Sequence, residues 1–154
     1  AELSEDNRRW LRDQPPSREI PASSGSTQRN PRTMLAMHHG SPADPDEFLF
    51  ATTPACRYQE LAQLVSASLV TIGHSHQQFT RKANGVTFIN PGSTGRMFDG
   101  KISGGCAVIT VEKYSSDVEL HRIPYSATAV TEEIKKQRLP LIYVEMFLRG
   151  RKLN

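Results

Sequence analysis

Cysteine is scarce, with only Cys56 and Cys106 in 154 residues and neither CxxC nor CxxH spacing. That excludes a disulfide framework and a thiolate zinc site, and both thiols are expected as small core residues. Long apolar runs are missing too: nothing approaches the roughly 18 residues that a membrane span requires. The opening AELSEDNRRW is acidic and polar where a secretory leader is basic and then greasy, so a cytoplasmic location is the expectation. Charge of one sign is also lacking. Nineteen Lys and Arg stand against sixteen Asp and Glu, a net +3 without a basic block, so no specific nucleic-acid partner is predicted. A hydrophobic content of 37% is enough for a buried core and too much for a disordered chain.

The pattern along the chain reads as mixed α/β. Residues 4–14 form a short helix with Ser4 as cap, Glu5 and Asp6 in the first turn, and Trp10 and Leu11 as apolar anchors; Pro15 and Pro16 end it. A strand is expected at 19–22 and a turn near Gly25. The apolar run 33–38 suits an internal strand covered on both faces. The segment SPADPDEFLF is a turn with a single helical turn after Asp46, and residues 55–66 form a helix burying Leu61, Leu64 and Val65. Strands follow at 69–72 and 86–89, the latter entered through the hairpin dipeptide Asn84-Gly85. Residues 106–112 and 118–123 form an antiparallel pair, 128–137 a charged helix, and 141–148 an amphipathic helix with a basic end, RGRK. The whole is expected to be one domain, 1–154, with 128–154 as a terminal helical extension.

Three strands run into short glycine-containing loops: His38-His39-Gly40-Ser41, Gly73-His74-Ser75-His76 and Asn90-Pro91-Gly92-Ser93. Carboxyl ends of strands are where ligands sit in α/β sheets, so the loops would bring four of the five histidines together. Neutral imidazole is a common metal ligand. Strand alternation sends His38 and His39 to opposite faces, so His39 is expected at the site and His38 in the core. His121 falls inside a strand, away from the loops. Asp44 and Asp46 make an Asx turn rather than ligands. Asn90 reads equally as a metal or phosphate contact and as part of a tight structural turn.

The order HGSP, GHSH, NPGS resembles the calcineurin-like metallophosphoesterases, and within them a small bacterial and archaeal phosphodiesterase subfamily. LSEDNRRWL, HRIPY and the segment from RLP to LRGR share in the resemblance, and Ser75 stands where the family has Thr. What the resemblance implies is an α/β fold, part of a four-layer α-β-β-α sandwich, and metal-dependent hydrolysis of a phosphomonoester or phosphodiester. The implied cofactors are divalent ions (Mn, Fe or Zn), two in a complete site. His39 and His74 would share one metal, His76 would hold the other, and Asn90 and Ser93 would line the substrate wall. The implied partner is a phosphoester small molecule or nucleotide, with no membrane and with homo-oligomers open. The family's Asp-x-His, Gly-Asp and Gly-Asn-His-Asp motifs do not occur in these 154 residues. On that ground the chain resembles the carboxyl-terminal portion of such an enzyme, or a degenerate member. A protein-binding scaffold on the same fold, with the basic helix around Tyr143 to Lys152 as its surface, is the alternative, and an inactive fragment is the third reading.

Overall fold

A computed structural model describes residues 3–21, 33–112 and 115–153. The turn expected near Gly25 lies outside them. Helix α1 (Glu5–Arg12) starts where Ser4 Oγ accepts from Asn7 N–H at 3.3 Å, with acids in its first turn and Arg9 and Arg12 in its last, both complementing the helix dipole. Its expected anchors are not buried: Trp10 is 62% and Leu11 52% exposed, because no described element packs over the helix.

Strand β1 (Ser17–Pro21) is a wholly exposed edge strand, antiparallel to β2 (Thr33–His38). β2 pairs in parallel with β3 (Leu69–Thr71), and β3 in parallel with β5 (Val86–Pro91). β4 (Gln78–Ala83) closes the other edge antiparallel to β5, giving the order β1-β2-β3-β5-β4. The β4–β5 hairpin turns at Asn84 and Gly85 with φ of 47° and 79°, the doubly left-handed pair that an Asn-Gly dipeptide tolerates. β2 is internal, as expected, but only one face is covered: Ala36 is 1% exposed while Met37 is 41% exposed.

Helix α2 (Ala55–Ala62) covers the buried face. Its Tyr58 and Leu61 join Ala36, Val70, Phe79 and Phe88 in one core, each large side chain worth roughly 1.5–3 kcal/mol of transfer free energy. The helix stops earlier than the apolar spacing predicts, leaving Leu64 exposed. Cys56, on its first turn, is exposed rather than in the core, and Cys106 is half-buried. The helical turn expected after Asp46 is absent. Instead Asp44 Oδ1 accepts from Asp46 N–H at 2.8 Å, an Asx turn that satisfies the backbone locally.

A second sheet holds β6 (Gly104–Val111) and β7 (Ser116–Ile123), antiparallel. Gln78 ties it to the first sheet, donating from Nε2 to the carbonyls of Cys106 and His121 at 3.2 and 2.8 Å. Helix α3 (Ala127–Lys136), capped by Ser126, packs against α4 (Ile142–Arg149), which ends at Gly150 in the left-handed conformation. No helix of the described residues is long and apolar enough to cross a membrane.

Candidate functional site

Because β2, β3 and β5 run parallel, their carboxyl ends share one edge of the sheet, and the HGSP, GHSH and NPGS loops meet there. Gly73 N–H donates to His39 O at 2.7 Å, locking the first two loops together. Gly40 is required by close approach, since a Cβ there would lie 2.6 Å from the backbone oxygen of Asp44.

The GHSH loop alternates in conformation. His74 and His76 have φ of 59° and 53°, left-handed values costly for residues with a Cβ, while Ser75 between them is 1% exposed. The strain is offset by buried hydrogen bonds. Asn90, fully buried at the end of β5, donates from Nδ2 to Gly73 O at 3.0 Å and to Ser75 Oγ at 2.9 Å, and its Oδ1 accepts from Gly92 N–H at 2.9 Å. Both polar side-chain atoms of Asn90 thus serve the loops. Ser93 makes a turn of its own, its Oγ accepting from Gly95 and Arg96 N–H at 3.3 and 3.2 Å.

The imidazoles stand on the outside of this frame. His74 Nδ1 lies 2.9 Å from His39 Nε2, and the rings meet edge to face with centroids 4.8 Å apart. Phe48 packs on His74 at 4.0 Å. His76 donates from Nδ1 to Arg96 O at 2.7 Å, which leaves Nε2 without the proton, and its ring stacks on Phe98 at 4.4 Å. Burial lowers the pKa of His76, and the neighbouring charges of Arg96, His74 and His39 act in the same direction, against the hydrogen bond to the Arg96 carbonyl, which raises it. His38 is half-buried beside an apolar groove formed by Pro16, Met37 and Ile72; burial lowers its pKa too, with Glu19 opposing. His121 is exposed on β7, 3.6 Å from Glu119.

The structure therefore joins His39 directly to His74 and sets His76 two residues further along the same loop. No group of three or more His, Cys, Asp and Glu placed to hold a metal ion is found among the described residues. Two contacting imidazoles can supply part of one ion's shell, but this donor set brings no carboxylate to compensate a pair of dications, so the residues present do not fit a two-metal centre. Phe48, Arg96 and Phe98 are site neighbours that sequence reasoning missed. Their only signal was an aromatic and a cation soon after NPGS and another aromatic soon after HGSP.

Fold and loops together define a phosphoesterase-type α/β domain. The chain belongs to the calcineurin-like phosphoesterase superfamily, whose domain model matches residues 10–114. That match corrects the expectation of a carboxyl-terminal portion: the family domain occupies the bulk of the chain, from α1 through β6. Among solved structures, a hypothetical protein of Pyrococcus horikoshii OT3 is similar at TM-score 0.77 and 17% identity, over 96% of this chain and 55% of that one. A metallophosphoesterase from Sphaerobacter thermophilus is similar at TM-score 0.73 and 18% identity, over 96% of this chain and 62% of that one. The chain thus spans between half and two thirds of the length of these structures. No curated protein matches it. Its two sheets with flanking helices match the four-layer α-β-β-α sandwich of the superfamily.

Proposed function

We propose that this chain is a binding module built on the calcineurin-like phosphoesterase fold, engaging a protein partner rather than turning over a phosphoester. The observation that carries the reading is the pairing of His39 with His74 without a carboxylate beside them among the described residues. Two dications about 3.5–4 Å apart repel strongly in a cleft, and neutral imidazoles offset none of that repulsion. The partner surface is α4 and the residues after it, where Tyr143, Leu148, Arg149, Arg151 and Lys152 are exposed. That combination suits an acidic partner with an apolar anchor. Calorimetric titration with manganese and with zinc, alongside a generic phosphodiester assay, tests the reading. We expect neither two ions per chain nor metal-stimulated turnover, and finding both overturns it.

A second reading, metal-dependent phosphoester hydrolysis, draws on one observation. The 2.9 Å separation of the His39 and His74 nitrogens suits two adjacent ligands of one ion, and the Nδ1 hydrogen bond of His76 leaves its Nε2 available as a ligand. In that reading His39, His74 and His76 hold manganese, iron or zinc, Asn90 and Ser93 shape the substrate wall, and the bridging carboxylate reaches the cluster from outside it.

A further inference from the structure

The second sheet holds only β6 and β7 among the described residues, and a two-stranded ribbon is marginally stable in water until a further strand or a helix completes it. No residue of β7 is buried; all eight are exposed or half-buried, and no further strand lies beyond its outer edge among the described residues. Gln78 reveals which backbone groups face that edge. Cys106 and His121 stand opposite each other, and both their carbonyls accept from Gln78 Nε2, at 3.2 and 2.8 Å. Two carbonyl oxygens so near one nitrogen lie between the strands, which makes this a hydrogen-bonded pair of the antiparallel ladder. The backbone groups of the alternate residues Val118, Leu120 and Arg122 therefore aim away from β6, at the open edge.

An open strand edge is a template for another strand, and the charges on β7 say which strand fits. Glu119 and His121 project from one face, both exposed, with His121 Nε2 3.6 Å from Glu119 Oε2. Two copies of one strand meet antiparallel about a two-fold axis. An axis at Leu120 sets Glu119 of each copy opposite His121 of the other, Val118 opposite Arg122, and Leu120 opposite itself. An imidazole keeps at least one N–H, so it donates to the facing carboxylate whether or not it is charged. Other registers are worse. An axis at Val118 opposes Glu119 with Asp117, one at Glu119 opposes Glu119 with itself, and one at Arg122 opposes Arg122 with itself. The remaining edges are poorer still: an axis at the centre of β1 sets Glu19 against itself, β4 carries Arg81 and Lys82 with no acid, and β6 has no charge to fix a register.

We propose that β7 is a self-association edge: two copies of this chain pair antiparallel about Leu120, giving a continuous four-stranded sheet in the order β6-β7-β7-β6. The surface is separate from α4 and does not depend on what the domain binds there. Sedimentation of the wild-type chain from about 10 μM to about 1 mM, the range in which small interfaces associate, should show reversible dimers. Amide hydrogen exchange at Val118, Leu120 and Arg122 should slow as the concentration rises, since those N–H groups become bonded only in the dimer. His121→Glu sets a carboxylate against Glu119 twice per dimer and should weaken association roughly ten-fold. Exchanging the two residues, Glu119→His with His121→Glu, restores opposite partners and should restore the dimer. A chain that stays monomeric, a dimer whose Leu120 amide exchanges as fast as in the monomer, a folded His121→Glu protein that dimerises as well as the wild type, or a folded double variant as weak as the single one would each overturn the proposal. Should the variants fail to fold, the concentration dependence of wild-type exchange decides alone.

Discussion

Asn90 Nδ2 donates to Ser75 Oγ across 2.9 Å in a site closed to solvent, and that bond fastens the end of β5 to the strained GHSH loop. The same side chain also holds Gly73 O and Gly92 N–H, so three loop groups depend on one residue. Asn90→Ala should therefore destabilise the domain by about 2–4 kcal/mol, more than a single lost hydrogen bond, because buried donors and acceptors are left unpaired. Denaturant unfolding monitored by circular dichroism gives the number. A loss below that of an ordinary surface substitution would mean that the loops hold themselves.

Glu47 supplies a pH prediction. Arg57 grips it at both oxygens, Nε to Oε1 at 2.8 Å and Nη2 to Oε2 at 3.0 Å, and this hydrogen bonding from Arg57 holds the Glu47 carboxyl below its usual range. A depressed carboxylate pKa stabilises the fold above the unfolded-state value, and the contribution disappears as pH falls through the folded-state value. Stability should accordingly decline from about pH 4.5 downward. Glu47→Gln should cost about 1 kcal/mol at neutral pH, the pair being partly exposed, and nothing once the carboxylate is protonated. Unfolding curves of the two proteins that stay parallel at every pH would refute the assignment.

Trp10 is the single tryptophan and stands 62% exposed on α1, whereas Phe88 is wholly buried between β3 and β4. Fluorescence from the native protein should be red-shifted, as for an indole in water, and Trp10→Ala should change stability by less than about 0.5 kcal/mol. Phe88→Ala should cost about 3–5 kcal/mol by opening a cavity against Tyr58, whose ring lies 5.2 Å away. Blue-shifted emission from the isolated chain would show α1 packed on something in solution, a second copy being the simplest case.

Much of the architecture was legible from local chemistry. Ser4 before two acids, Asn84-Gly85 ahead of the apolar run 86–89, and Gly40 and Gly73 after apolar runs each describe a constraint that neighbouring residues impose on one another, and each sits where the pattern placed it. The HGSP, GHSH and NPGS order likewise identified the superfamily, because close backbone approach at strand ends leaves few residue choices. Burial was less legible. Trp10, Leu11, Met37, Leu64 and Cys56 are apolar enough to lie in a core, yet whether a face is covered depends on elements remote in sequence, and here those faces stay open.

The sequence by itself determined where the strands end and which residue types gather there, since turns and caps are local. Only the tertiary structure decided what those residues do. It turned Asn90 inward as a loop brace, set His74 against His39, gave His76 a carbonyl partner on Arg96, and placed the guanidinium of Arg96 near the Phe98 and Phe147 rings with its Nε unpaired among the described residues. The reason is physical: hydrogen-bond satisfaction and charge pairing are settled between groups far apart in sequence, and parallel strand pairing together with the docking of α4 brings them within reach.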